Sequence, residues 1–132
     1  MIVDTSAIVA IVLGEADAER LAQILSDAPE PKMSTATAVE VNAVLTRRLR
    51  AEDQRRVERL LDEWEIDLVA FDAEQAAIAS RAYRDFGRGS GHPAALNLGD
   101  CYSYALAEIT REPLLYVGDD FVHTDITPAY RR

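Results

Sequence analysis

The chain has 132 residues, 48% of them hydrophobic, one cysteine and a formal net charge of −9. That length and apolar content suit a single domain over 1–132 with a core of its own. The acidic balance excludes the global basic footprint that drives non-specific nucleic-acid binding. Cys101, the only cysteine, excludes an intramolecular disulfide and a thiolate zinc cluster, so a reducing compartment, the cytoplasm, is expected.

Met1 to Asp4 reads as a short strand ending in an acid, followed by Thr5-Ser6 as the cap of a helix over Ala7 to Leu13 that stops at Gly14. That apolar run is too short to span a membrane, and no basic segment with a cleavage site precedes it. Ala18, Leu21, Ala22 and Leu25 recur at helical spacing and predict a second helix over Ala16 to Leu25, closed before Pro29 and Pro31. Met33 to Ala36 reads as the second strand. Val41, Val44, Leu45 and Leu49 trace one face of a third helix that starts at Thr37, and Val57, Leu60, Leu61 and Trp64 one face of a fourth from about Glu52 to Glu65. Ile66 to Phe71 is rich in β-formers, and Asp72 with Gln75 reads as a capping box for a fifth helix that ends at Gly87.

Gly87 to Gly99 is a Gly, Pro and Ser-rich connection, long for a compact domain and so a functional or mobile loop. Its Gly87 to Gly91 portion follows a helix rather than a strand and is no phosphate-binding fingerprint. It leads into Asp100, one carboxylate opening the run Cys101 to Ala107, which is apolar on nearly every side and therefore a buried helix. After Pro113, Leu114 to Val117 suits a central strand, and Gly118-Asp119-Asp120-Phe121 follows it.

Strands separated by helices imply an α/β fold with a parallel sheet and right-handed crossovers. Ligands of such sheets bind outside the carboxyl ends of the strands. Asp4 follows the first strand, Glu40 lies one turn into the helix after the second, Asp100 opens the buried helix, and Asp119 and Asp120 follow the late strand. Two carboxylates about 5 Å apart repel by roughly 3 kcal/mol at an effective dielectric of 20, so such a cluster needs protons or a cation. Oxygen ligands select hard divalent ions, Mg²⁺ or Mn²⁺. Each acid also has a purely structural use: Asp100 and Asp4 as helix N-caps, Glu40 in a capping box with Thr37, and Asp119-Asp120 as a polar turn. His92 and His123 read as loop or surface residues, and Trp64, Tyr102 and Tyr104 as core or interface rather than base-stacking groups.

Taken together, Ile2-Val3-Asp4-Thr5-Ser6-Ala7, Glu40 within Ala38-Val39-Glu40-Val41, the stretch Gly99 to Ala107 and Leu114 to Phe121 resemble the PIN-domain ribonucleases, and within them the VapC toxins of toxin-antitoxin systems. The resemblance covers essentially the whole chain. It implies a three-layer fold with a short parallel sheet of four or five strands and helices on both faces. It also implies a metal-dependent endoribonuclease, with Asp4 and Asp100 as metal ligands, Glu40 as a third acid and Asp119 or Asp120 as a fourth. A homodimer, neutralised by a small antitoxin whose C-terminal segment fills the active-site groove, is implied as well. No Cys, Ser-His or His-His arrangement suggests a metal-free nuclease.

The basic residues bear on the RNA: 13 of 14 are Arg, and nine of those lie between Arg47 and Arg88. They form either a solvated face paired with Glu52, Asp53, Glu58 and Asp62, or an RNA track through Arg47, Arg48, Arg50, Arg84 and Arg88. The apolar stripes of the second and fourth helices exceed what so small a core needs, which predicts that one of them packs in an isologous dimer. Two other classes use the same acids: a Mg²⁺-dependent phosphohydrolase on a small substrate, and a non-enzymatic regulatory module in which the carboxylates only cap helices.

Overall fold

A computed structural model describes residues 1–131. Four short strands, β1 (Ile2–Val3), β2 (Lys32–Ser34), β3 (Asp67–Val69) and β4 (Leu114–Leu115), form one parallel sheet in the order β3-β2-β1-β4. The register is fixed by pairing Ile2 with both Lys32 and Leu114, and Met33 with Leu68. A single parallel bridge from Leu114 to Pro128 covers the outer edge of β4, occupying the place of the fifth strand that the sequence left open. The other edge, β3, carries Leu68 exposed to solvent.

Strand side chains alternate between faces, and that alternation divides the core into two. Ile2 and Leu114 join α5 (Ala73–Phe86) and α6 (Leu98–Thr110) on one face, through Ala79, Ala82, Cys101, Ala105 and Leu106. Val3, Met33 and Leu115 join α1 (Thr5–Val12), α2 (Ala18–Asp27), α3 (Thr35–Arg48) and α4 (Ala51–Glu63) on the other, through Ile8, Leu21, Leu25, Val41, Leu45 and Val57. The helices on both faces make the three layers expected from the sequence.

Three local expectations need correction. Helix α1 begins two residues early because Asp4 itself is the cap, its carboxylate accepting the Ser6 N–H. Helix α3 begins at Thr35 with Ser34 as cap, so Thr37 lies inside the first turn and the capping box with Glu40 does not form. Helix α6 begins at Leu98 with Asn97 as cap, which makes Asp100 its third residue rather than its cap. The apolar stripes of α2 and α4 are also taken up inside the protein: Leu21, Leu25 and Val57 are buried and Leu61 and Trp64 pack against them. The large apolar side chains left exposed are Val39, Leu68, Tyr83, Leu98 and Val122.

Candidate active site

β1 lies inside the sheet, between β2 and β4, so the residue after it emerges at the middle of the carboxyl edge. That residue is Asp4, only 3% exposed. Its backbone N–H is donated to the Leu115 carbonyl, and both of its carboxylate oxygens are held. Oδ2 accepts the Ser6 N–H at 3.0 Å and the Ser6 hydroxyl at 2.6 Å. Oδ1 accepts the Ser103 hydroxyl from α6 at 2.5 Å, and Ser103 lies 3.4 Å from the Thr37 hydroxyl of α3. Ser6 Oγ in turn accepts the Val117 N–H at 3.0 Å, which ties the end of β4 to the same carboxylate. Burial pushes the Asp4 carboxyl above its ordinary range, against the pull of these hydrogen bonds.

Asp100 comes to the same place from α6. The Asn97 carboxamide accepts the Asp100 N–H at 2.8 Å while Asp100 Oδ2 accepts the Asn97 N–H at 3.0 Å, a reciprocal capping box. This bond leaves Oδ1 of Asp100 for other partners. Burial raises its carboxyl to about 7, with the Asp4 charge next in importance and Asp120 adding to both. Glu40, on α3, accepts the Thr5 hydroxyl, and its carboxyl is raised by burial and then by Asp4. Its carboxylate occupies the space that Gly99 leaves by having no side chain: a Cβ there would stand 1.7 Å from Glu40 Oε2.

The two late acids separate. Asp120 stands against Asp100, whereas Asp119 acts on the Tyr116 hydroxyl and lines a neighbouring cavity. Gly118, at φ +103, makes the turn between strand and acids in a conformation that a side chain disfavours. Asp4, Glu40, Asp100 and Asp120 are thus brought together, and Asp119 is not. Of the arginines, Arg47 and Arg48 sit exposed in the last turn of α3, about 10 Å along its axis from Glu40. Arg50 is exposed ahead of α4 and Arg84 near the end of α5. Arg88 is exposed too, but its backbone N–H is donated to the Leu96 carbonyl beside the start of α6.

Donor chemistry fits a hard divalent cation, because every side chain in the cluster offers oxygen and no ion pair among the described residues involves Asp4, Glu40 or Asp100. Among those residues no group of three acidic, histidine or cysteine side chains is arranged to enclose an ion. Mg²⁺ ordinarily keeps several waters and takes one or two protein carboxylates, so the Asp4 and Asp100 pair is the relevant fit. Sequence reasoning missed Ser6, Ser103 and Gly99. A lone Ser three residues after Asp100, on a helix otherwise apolar, was the available signal: the two share a face, and a buried hydroxyl needs a partner.

Comparison with known proteins identifies the family. The PIN domain profile matches residues 1–126. The chain is 60% identical to ribonuclease VapC42 of Mycobacterium tuberculosis over 129 residues, 98% of each protein. It is 47% identical to ribonuclease VapC28 of the same species over 132 residues, 100% of this chain and 99% of that one. Among solved structures, the fold is similar to Mycobacterium tuberculosis VapC20, a toxin that cleaves the sarcin-ricin loop, at a TM-score of 0.73 with 16% identity, covering 96% of this chain and 95% of that one. It is also similar to a chain of a toxin-antitoxin complex from Klebsiella pneumoniae, at a TM-score of 0.70 with 17% identity, covering 94% and 92%. The chain belongs to the PIN-domain family, in its VapC ribonuclease branch.

The raised Asp100 carboxyl has a consequence for stability. The folded protein holds that proton more tightly than the unfolded chain between the ordinary carboxylate range and about pH 7, so the metal-free protein loses stability as pH rises through that window. Asp100→Asn keeps an acceptor for the Asn97 N–H and removes the charge. In chelator-treated protein its thermal midpoint should exceed that of wild type by roughly 3–6 °C at pH 8 and converge with it near pH 5. Equal midpoints at pH 8 would show that Asp100 is not under electrostatic strain.

Proposed function

We propose that the protein is a metal-dependent endoribonuclease, the toxin of a toxin-antitoxin pair, whose chemistry is carried out at the Asp4, Glu40, Asp100 and Asp120 cluster. The single observation that carries this reading is the convergence of buried Asp4 and Asp100 with half-buried Glu40 and exposed Asp120, with no ion pair to Asp4, Glu40 or Asp100 among the described residues, at the carboxyl edge of the sheet. Ribonuclease activity is what the names of the relatives at 60% and 47% identity record. The alternatives of a small-substrate phosphohydrolase and of a binding module lack any comparable support.

Asp4 and Asp100 are the residues that would hold Mg²⁺ or Mn²⁺. The ion, when bound, supplies a water of lowered pKa and neutralises charge on the scissile phosphate. The chain's part is positional. Ser6 and Ser103 fix both oxygens of Asp4, and Asn97 fixes one oxygen of Asp100, so the two carboxylates are oriented before any ligand arrives. Thr5 holds Glu40 towards the same centre, where its raised carboxyl is suited to taking a proton from a water within reach. Asp120 is the fourth acid in this assignment, and Asp119 is not.

Val39 and Leu98, 69% and 56% exposed, precede Glu40 and Gly99, whose contact they flank. Acids beside exposed apolar side chains suit a basic, amphipathic antitoxin segment, and we infer that this is where the antitoxin lies. A homodimer belongs to the same proposal, as does a cytoplasmic location. No described helix is long and apolar enough to cross a membrane.

Two substitutions test the assignment. Asp4→Asn should abolish Mn²⁺ binding in calorimetry and lower kcat/KM on RNA by about 10²–10³-fold or more, with the fold retained by circular dichroism; retained Mn²⁺ affinity would remove Asp4 from the site. Gly99→Ala puts a methyl group where the Glu40 carboxylate sits, at a helical position that favours Ala. Cleavage should fall about 10–100-fold while the thermal midpoint changes little. A large stability loss with normal cleavage would mean that Glu40 is structural.

A further inference from the structure

Beside the carboxylate cluster is a second concavity. It is a cavity of about 410 Å³ between the turn that follows β4 and the C-terminal segment, with Tyr116, Phe121 and Tyr130 on its walls and Asp119, Thr124 and Arg131 among its polar groups. We propose that this cavity is a nucleobase pocket, taking an unstacked purine, guanine best, from the nucleotide next to the scissile phosphate. The proposal rests on the ribonuclease reading and adds to it a source of sequence preference.

Four observations carry it. The volume lies within the range of small-ligand sites and exceeds what one base needs. The accessible walls are aromatic: half-buried Tyr116 and Tyr130 present rings to the cavity, and buried Phe121 supports Tyr116 from behind at 5.0 Å and 57°. Specific recognition of RNA depends on splayed bases stacking on such rings. The polar groups bear both signs at one spot, for Asp119 and Arg131 act in opposite directions on the Tyr116 hydroxyl. Finally, the pocket wall and the carboxylate cluster are adjacent sides of one turn. Asp119 faces the pocket and Asp120 faces Asp100, with Cα atoms about 3.8 Å apart.

Charge decides what part of a nucleotide fits. Asp119 lines the cavity beside Arg131, and its charge disfavours a second phosphate there. A carboxylate beside a guanidinium instead suits a base edge with donors next to acceptors. Guanine offers N1–H and N2–H to Asp119 and O6 or N7 to Arg131, whereas cytosine and uracil present less aromatic area and adenine lacks the O6 acceptor.

Two measurements test this. The first is calorimetry of GMP, AMP, CMP, UMP and inorganic phosphate on Asp4→Asn protein with no metal added, which requires no cleavage. GMP should bind about tenfold or more tightly than the pyrimidine nucleotides and phosphate, and Asp119→Asn combined with Arg131→Gln in that background should erase the difference. Phosphate binding as well as GMP, or a basic peptide binding there while GMP does not, would overturn the proposal. The second is Mn²⁺-dependent cleavage of short RNAs that differ in one base beside the cut. Wild type should prefer guanine at one flanking position, and Asp119→Asn/Arg131→Gln should bring the four bases to within about threefold. Active cleavage with the same base preference in wild type and double variant overturns the pocket and leaves the ribonuclease reading intact. No cleavage by wild type, with GMP selectivity present in calorimetry, overturns the ribonuclease reading and leaves the base pocket standing.

Discussion

The structure depends on holding one carboxylate, that of Asp4, in a place where water scarcely reaches. An isolated buried carboxylate is costly enough that it ordinarily takes up a proton instead. Here three donors oppose that tendency, two from Ser6 and one from Ser103, and each comes from a different part of the fold's interior than the strand that carries the acid. The same set of bonds joins β1 to α1, to α6 and, through the Val117 N–H on Ser6, to the turn after β4. The geometry of the proposed site and the tertiary structure are therefore held by the same contacts. The sheet edge is ordered because its most expensive group is satisfied.

A second contact, between Glu40 and Gly99, sets how α3 and α6 approach each other. A methyl group at position 99 would collide with the Glu40 carboxylate, so the helix that presents Asp100 must carry a glycine in its first turn, where alanine is the better helix former. Stability is given up at that position in favour of a third acid. The raised carboxyls of Asp4, Glu40 and Asp100 have the same character. Each alone is a liability to the folded chain, and a divalent cation bound among them would offset that cost, linking ion binding to stability.

Much of this was legible in the sequence, and the reasons differ by residue. Two-residue strands such as Ile2–Val3 and Leu114–Leu115 were found because parallel strands buried on both faces read as continuous apolar runs. Helix starts were misplaced by about two residues wherever several capping residues stood together, as in Asp4-Thr5-Ser6, Ser34-Thr35 and Asn97 to Asp100, because local propensity does not say which oxygen is free to cap. Asp119 and Asp120 were indistinguishable in sequence, since the choice is made by the backbone at Gly118. The apolar stripes of α2 and α4 suggested an interface because a sequence shows a face without its partner. Part of each stripe is taken up by the second core, through Leu21, Leu25 and Val57.

Net charge poses the remaining physical problem, since a chain at −9 has to admit a polyanion to its most acidic point. Arg47 and Arg48 stand exposed in the last turn of α3, about two turns along the helix from Glu40. Arg88 is anchored nearer, through its backbone to Leu96, yet its side chain is exposed and screened by solvent and salt. On the proposed assignment, compensation at the scissile phosphate would fall to a cation held by Asp4 and Asp100. RNA binding and divalent-ion binding at the acidic cluster would then be coupled, the cation offsetting the repulsion between carboxylates and phosphates.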